Sequence, residues 1–268
     1  MQTHLDRIMA CTRVRVDERK SVTDLADLER RAQVHEPRGF IKGLRSASTR
    51  GPAIIAELKK ASPSKGLLRE NFQPAAIGQA FAEAGAAAIS VLTDEDFFQG
   101  SLDHLAAVSQ AVSIPVLRKD FILDSFQILE ARSAGADAIL LIVAAHADQD
   151  LRSLSDAAHA IGLEVLCEVH DREELKRAVD LGFDLIGVNC RNLKTLHVDP
   201  TTHFELAKWM PPEVLRVAES GIGNAADVQT LLGAGYHAFL IGETLMREQD
   251  PAAKLATLLG ANISLGVR

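Results

Sequence analysis

From residue 53 onward, short apolar runs alternate with longer stretches in which apolar residues recur every third or fourth position. Short apolar runs read as buried strands, and the three-to-four-residue period reads as amphipathic helix. The expected strands are Ala53–Leu58, Ala86–Leu92, Ile114–Arg118, Asp137–Val143, Leu163–Val169, Asp184–Asn189, Val214–Glu219 and His237–Gly242. Helices are expected between them, among others over Pro74–Ala84, Asp124–Ala134, Asp171–Leu181 and Asn224–Leu232. The same punctuation recurs after them: Gly85, Gly135 and Gly235 each follow an alanine, and Gly182 precedes Phe183. Glycine suits the residue just past a helix, where the chain turns left-handed.

This makes eight strand–helix units in roughly 220 residues, with no Pro/Ser-rich hinge or low-complexity tract between them, which matches a (β/α)8 TIM barrel in number and size. An open, doubly wound sheet usually has five or six strands and a nucleotide fingerprint after the first, and no GxGxxG occurs here. The first 45 residues are polar and helical in pattern, with one apolar stripe at Leu5, Ile8 and Met9 and another at Leu25 and Leu28. The expectation is a single α/β domain over 1–268: an N-terminal helical extension (1–45) and a TIM barrel (53–268).

The chain has 268 residues, of which 47% are hydrophobic, enough for a large core. Its formal net charge of −7 argues against a nucleic-acid partner but leaves room for a small anion, whose binding depends on local charge. The three cysteines, Cys11, Cys167 and Cys190, form no CxxC and are expected to be reduced, packed thiols. The first twenty residues lack an apolar signal-peptide core, and nowhere do about 18 apolar residues run together. A cytoplasmic protein with no membrane partner is expected.

Candidate chemistry gathers where the strands end, the usual place of a TIM-barrel active site. Glu57 and Lys59 are two residues apart and so share one side of the first strand. A charged pair there costs desolvation energy unless its members meet each other or a ligand. The second strand runs into Thr93, Asp94 and Glu95, and the third into Arg118, Lys119 and Asp120. The later strands end in Glu168 and His170, in Asn189 and Arg191, and in Glu219 and Ser220. Lys60, Arg118 and Asp120 have the opposite parity and are open to a salt-bridging role behind the barrel. Arg191 reads equally as a site residue and as the pin of a loop.

Two glycine turns follow the last strands: Ser220-Gly221-Ile222-Gly223-Asn224, with Asn224 placed to cap a helix, and Ile241-Gly242-Glu243-Thr244. Backbone N–H groups in such turns suit a phosphate. The nine histidines form no HxH or HExxH, so no metal site is expected. His146 and His170 read as surface or core residues, and Trp209 as a packing residue in a helix.

These residues fall in stretches that resemble the indole-3-glycerol phosphate synthase family of tryptophan biosynthesis: IAELKKASPSKG (55–66), AISVLTDEDFFQGS (88–101), PVLRKDFI (115–122), LCEVH (166–170), GVNCRNL (187–193), AESGI (218–222) and LIGETLM (240–246). The resemblance covers nearly the whole chain. It implies a lyase that closes the ring of 1-(2-carboxyphenylamino)-1-deoxyribulose 5-phosphate with loss of carbon dioxide and water. It further implies no cofactor, a monomer, and an N-terminal extension that caps the site, with transient contacts to other enzymes of the pathway left open.

Residue by residue, Lys119 matches the family's general acid and Glu168 its second acid–base group. Lys59 matches a mobile lysine that contacts phosphate or assists proton transfer. Glu57, Asn189 and Glu219 match polar residues around the substrate, and Ser62, Arg191 and Ser220 lie beside them. Pro63, Phe98, Phe121, Leu140 and Leu193 match an apolar slot for the aromatic ring. Lys59, Gly221, Gly223, Gly242 and Glu243 are expected at the phosphate, with the Glu243 side chain turned to solvent. Three rivals differ in detail. The sister phosphoribosylanthranilate isomerase needs a Cys/Asp pair, and the first strand ends in no cysteine. A Schiff-base aldolase would use a strand lysine as nucleophile. A non-catalytic phosphosugar-binding barrel would leave these reactive groups without a task.

Overall fold

The computed structural model describes residues 3–260, so the expected limits of the domain at 1 and 268 lie outside the described residues. Eight strands form the barrel: β1 Ala53–Leu58, β2 Ala88–Leu92, β3 Val116–Lys119, β4 Ala138–Ile142, β5 Glu164–Val169, β6 Leu185–Asn189, β7 Leu215–Glu219 and β8 Ala238–Ile241. Each pairs in parallel with its neighbours in sequence, and β1 closes the ring by pairing with β8. The strands differ from expectation mainly by starting one or two residues later, beyond the turn residues that lead into them. A small hairpin, Ala61–Ser62 against Gly66–Leu67, follows β1 and was not expected.

Strand parity, ambiguous in the sequence, is resolved by packing. Ile54, Ala56 and Leu58 join the large core between strands and helices. Ala53 and Ile55 face inward with Ala88, Leu117, Leu140, Leu166, Val217 and Leu240 to fill the barrel. Parallel strands buried on both faces need apolar residues at both parities, which is why their runs are continuous. Arg118 takes the outward parity and is fully buried, where it donates to Asp120 (2.8 Å), to the Gln127 carbonyl (2.6 Å) and to Glu130 (3.3 Å). It is a brace behind the barrel.

Helix ends follow their local chemistry. Asp124, Asp171 and Asn224 cap the helices Ser125–Ser133, Arg172–Asp180 and Ala225–Gly233 with side-chain oxygens that accept backbone N–H bonds. Gly85, Gly135, Gly182 and Gly235 take the left-handed conformation expected of them, at φ between 85° and 98°.

The N-terminal extension covers both ends of the barrel. Helix α1 (His4–Val22) lies across the C-terminal mouth, helix α2 (Leu25–Ala32) follows, and helix α3 (Phe40–Ser48) plugs the opposite end. There Phe40 and Leu44 are fully buried in the barrel's inner core, and the Ile41 N–H donates to Glu164 at the start of β5 (2.8 Å). Two such side chains stabilise the plug by about 1.5–3 kcal/mol each. Two expectations need correction. Leu25 is 54% exposed, because only one residue of that stripe, Leu28, meets the core. Trp209 lies in a turn past the helix Thr201–Ala207 and is 55% exposed, with the Arg172 guanidinium 3.6 Å from its ring centre. Among the described residues no helix is long and apolar enough to cross a membrane.

Candidate active site

A cavity of about 850 Å³ opens at the C-terminal ends of the strands. Its floor is set by inward parity. Glu57 leaves β1, Lys119 β3, Glu168 β5, Asn189 β6 and Glu219 β7, and the register brings Asn189 level with Glu219. Glycines make room for this crowding. A Cβ on Gly187 would collide with the Glu219 carboxylate, and one on Gly242 with Glu57.

The Lys119 ammonium is the centre of the floor. It donates to Glu168 Oε2 at 2.8 Å and lies 3.5 Å from Glu219 Oε2. Burial alone would pull its pKa down, but Glu168, Glu219 and Glu57 outweigh that and hold it protonated, well above the usual lysine value. Glu168 is likewise buried, yet Lys119 and His170 keep its carboxyl well below the usual range. Glu219 goes the other way. Burial, with help from the nearby Glu168 and Glu57 charges, overcomes Lys119 and pushes it up to about 8. Its Oε1 is buried without a hydrogen-bond partner among the described residues. Lys59 donates to Glu57 on the same side of β1, the pairing that their spacing implies. Asn189 links the groups by donating to Glu168 Oε1 (3.2 Å) and accepting from the Ser220 hydroxyl (2.8 Å). Ser220 is held in the left-handed region, at φ 65°.

One wall is apolar. Phe98 and Phe121 stand with ring centres 6.4 Å apart, and Pro63, Leu140, Leu193, Ile142 and Leu240 continue the surface. Leu5 and Ile8 of α1 complete it from above. Ser62 and Lys65 of the loop after β1 also line the cavity. The far end holds the two glycine turns, with Gly221, Gly223, Gly242 and Glu243 on the cavity wall beside Arg191 and Arg247.

All eighteen expected site residues therefore meet around one space. Two details differ from the sequence reading. The Glu243 carboxylate does not turn freely to solvent; it lies between Arg191 (3.5 Å) and Arg247 (3.7 Å), because both cations flank the turn. The Gly223 N–H is already given to Asp227 Oδ2 (2.7 Å), whose carboxylate completes the capping box with Asn224. Arg191 lines the cavity and also donates to the Leu196 carbonyl, which pins its own loop (3.2 Å).

Sequence reasoning left out Leu5, Ile8, Lys65, Arg247 and His170. The first two belonged to a recognised stripe, but nothing local says where a stripe docks. His170 stands two residues beyond Glu168 and so shares its side, the same spacing that singled out Glu57 and Lys59. It is not a surface residue. It stands mostly buried, 11% exposed, between Glu168 and Glu174, and those neighbours, set against burial, push it up to about 10. The three cysteines are free, and the two buried ones, Cys167 and Cys190, do not line the cavity. Among the described residues no group of three His, Cys, Asp or Glu side chains is arranged to hold a metal ion.

The barrel resembles solved structures at low sequence identity, a likeness of fold alone. 3-Hexulose-6-phosphate synthase from Salmonella typhimurium aligns with a TM-score of 0.63 at 14% identity, over 78% of this chain and 97% of that one. Thiamine phosphate pyrophosphorylase from Pyrococcus furiosus aligns at 0.60 and 15%, over 80% and 96%. Sequence relatives are much nearer. The indole-3-glycerol phosphate synthase of Koribacter versatilis is 58% identical over 97% of this chain and the whole of its own. Those of Burkholderia vietnamiensis and Azospirillum brasilense are each 48% identical, over 96% and 97% of this chain and 99% and 100% of theirs. Residues 5–258 match the family described as indole-3-glycerol phosphate synthase, a span that takes in all of α1 but His4, every strand and every group on the cavity floor. The chain belongs to the indole-3-glycerol phosphate synthase family.

Proposed function

We propose that this cavity converts 1-(2-carboxyphenylamino)-1-deoxyribulose 5-phosphate to indole-3-glycerol phosphate, carbon dioxide and water, with Lys119 as the acid that starts the reaction. The observation that carries this reading is the Lys119 ammonium, held between Glu168 and Glu219 at the foot of an apolar wall.

Ring closure needs a poor nucleophile, the aromatic carbon that bears the carboxylate, to attack a ketone. A proton donor on the ketone oxygen lowers that barrier. Lys119 suits the task because the surrounding carboxylates keep its proton in place until substrate arrives. The aromatic ring lies against Phe98, Phe121, Pro63, Leu140 and Leu193, where a carboxylate loses the water that stabilises it and so leaves more readily as carbon dioxide. Loss of that group restores the aromatic ring. Elimination of the former ketone oxygen as water follows, with Glu168 as the acid–base partner. Glu57 and Lys59, paired across the mouth of β1, orient the amine and hydroxyls, and Glu219, Asn189 and Ser220 do so from the other side. The phosphate goes to the Gly221 and Gly242 turns, with Lys59 and Arg191 as its counter-charges.

The partner is a small phosphosugar, not a nucleic acid or a membrane. All the groups named come from one chain, so a monomer suffices, and the reduced thiols suit the cytoplasm. The test is indole fluorescence on mixing the purified protein with the carboxyphenylamino-deoxyribulose phosphate in EDTA. A rising signal is expected. No signal from protein shown by circular dichroism to be folded overturns the reading.

A further inference from the structure

Behind the cavity floor lies a charged pair that the chemistry above does not use. His170 is mostly buried at the end of β5 and does not line the cavity. Its Nε2 lies 3.1 Å from Glu168 Oε1, and its Nδ1 lies 3.0 Å from Glu174 Oε2. Glu174, on the helix Arg172–Asp180, also accepts the His170 backbone N–H at 2.8 Å. Glu168 thus carries a different cation on each oxygen, Lys119 on Oε2 and His170 on Oε1. A neutral imidazole has one N–H and would turn a lone pair toward one of its two carboxylates. Only the imidazolium turns a positive N–H edge to both: Nδ1 hydrogen-bonds Glu174, and Nε2, out of line for a hydrogen bond, meets Glu168 as an ion pair.

This arrangement matters at one moment of the reaction. When Lys119 gives its proton to the ketone oxygen it becomes neutral, and Glu168 loses the nearer of its two cations. A buried carboxylate left without a cation takes up a proton. The other groups facing Glu168 do not prevent that. Asn189 on β6 offers a neutral amide, Glu219 on β7 is an acid, and Glu57 on β1 adds further negative charge around Lys119. His170 is the cation that remains.

We propose that His170, clamped by Glu174, is a positioning residue that keeps Glu168 ionised and aimed while Lys119 is neutral. The proposal rests on the assignment of Lys119 and Glu168 given above. Glu174 has two tasks in it: it fixes the ring by accepting from both the backbone and Nδ1, and it holds the ring charged.

The experiment compares the pH dependence of kcat in the wild type, His170→Gln and Glu174→Gln. Glutamine keeps a donor near Glu168 but cannot carry charge. The acid limb of the profile is expected to move up by about one pH unit or more in His170→Gln, and in the same direction but less in Glu174→Gln, with activity recovering above the limb. A drop of the same size at every pH, with the limb unmoved, overturns the proposal and leaves His170 a packing residue. If His170→Gln does not fold, the Glu174→Gln profile decides alone. A second readout does not depend on turnover. In histidine-labelled wild-type protein without substrate, the His170 ring nitrogens, assigned by their loss in the variant, are expected at the imidazolium position at pH 8. A neutral ring there overturns the proposal. Wild-type protein that fails to turn over the substrate but shows the imidazolium would instead sink the functional reading while leaving the charge clamp in place.

Discussion

Gly242, at the end of β8, leaves the space that the Glu57 side chain occupies: a Cβ there would lie 2.8 Å from the Glu57 carboxyl carbon and 3.0 Å from its Cβ. The Glu57 Cβ is fixed to a central strand and cannot swing away. Gly242→Ala is therefore expected to displace Glu57, and with it Lys59, from the cavity wall. The expected outcome is a loss of turnover of about tenfold or more, with destabilisation of about 1–3 kcal/mol as for other overpacked sites. Steady-state kinetics beside urea unfolding checks this. Wild-type turnover would show that the pair is not needed where it stands.

Replacing the central cation separates catalysis from folding. Lys119→Met is expected to lower kcat by at least ~10², the low end for a positioned acid. The fold should survive, because Glu219 can take up a proton once the ammonium is gone and His170 still faces Glu168 as a counter-charge. Turnover close to wild type would end the assignment of Lys119.

Two groups with raised pKa values each make stability fall as pH rises. Glu219, at about 8, binds a proton in the folded chain that an unfolded glutamate releases near 4.5, so its buried charge increasingly penalises the fold from pH 4.5 to 8. His170, at about 10 against 6.5, contributes stability that is whole below 6.5 and lost as pH rises through 10. Both slopes are negative between pH 6.5 and 8. Burial lowers the pKa of His104, His146, His203 and His237, which pulls the other way near pH 6.5, so the expected outcome is a difference between two proteins: the change of unfolding free energy with pH across the window is less negative in Glu219→Gln than in the wild type. Urea titrations at pH 6.5, 7.2 and 8 measure it. Identical slopes in the two proteins would contradict the raised value of Glu219.

Helix α1 is fastened over the cavity by charge. Arg15 donates from Nε (2.5 Å) and its terminal nitrogen (2.6 Å) to Asp96, and to Glu95 (2.5 Å). Lys20 donates to Asp124 (2.8 Å) and Arg19 to Glu130 (2.8 Å). Partly exposed pairs contribute about 0–1 kcal/mol each and weaken with salt. Because α1 contributes Leu5 and Ile8 to the ring-binding wall, Arg15→Ala is expected to raise KM about twofold to fivefold, within what such pairs contribute, with kcat little changed. Added salt should raise the wild-type KM in the same way. A KM in Arg15→Ala equal to wild type at low salt would show that the Arg15 pairs do not hold the helix over the cavity.

Glu243 competes for the cations at the glycine turns. It lies 3.5 Å from Arg191, which in the proposed complex faces phosphate. Glu243→Gln removes the competing charge without shortening the side chain. Inhibition by inorganic phosphate is expected to strengthen about threefold or more, on the order of the 0–1 kcal/mol of a partly exposed pair. Weaker inhibition would mean that Glu243 is needed to hold Arg191 in place.

The chain's pattern alone determined the architecture. Eight apolar runs punctuated by helix stops, as at Ala84-Gly85 and Ala134-Gly135, match a barrel of this size, since burial and backbone conformation act within a few residues of each position. Most of the site was legible for a related reason. Strand ends converge in a barrel, and an acid and a base two residues apart, Glu57 and Lys59, must share a side. What the tertiary structure decided are the long-range choices. It set which parity faces the axis, so that Arg118 braces the back while Lys119 enters the cavity. It docked Leu5 and Ile8 of α1 across the mouth, and it placed Glu243 between Arg191 and Arg247. It set His170 between two carboxylates, because the charge of an imidazole depends on the groups that fold around it, and Glu174 reaches it from a helix that the strand pattern does not position. Each of these depends on distance between segments, and hydrophobic period carries no information about that.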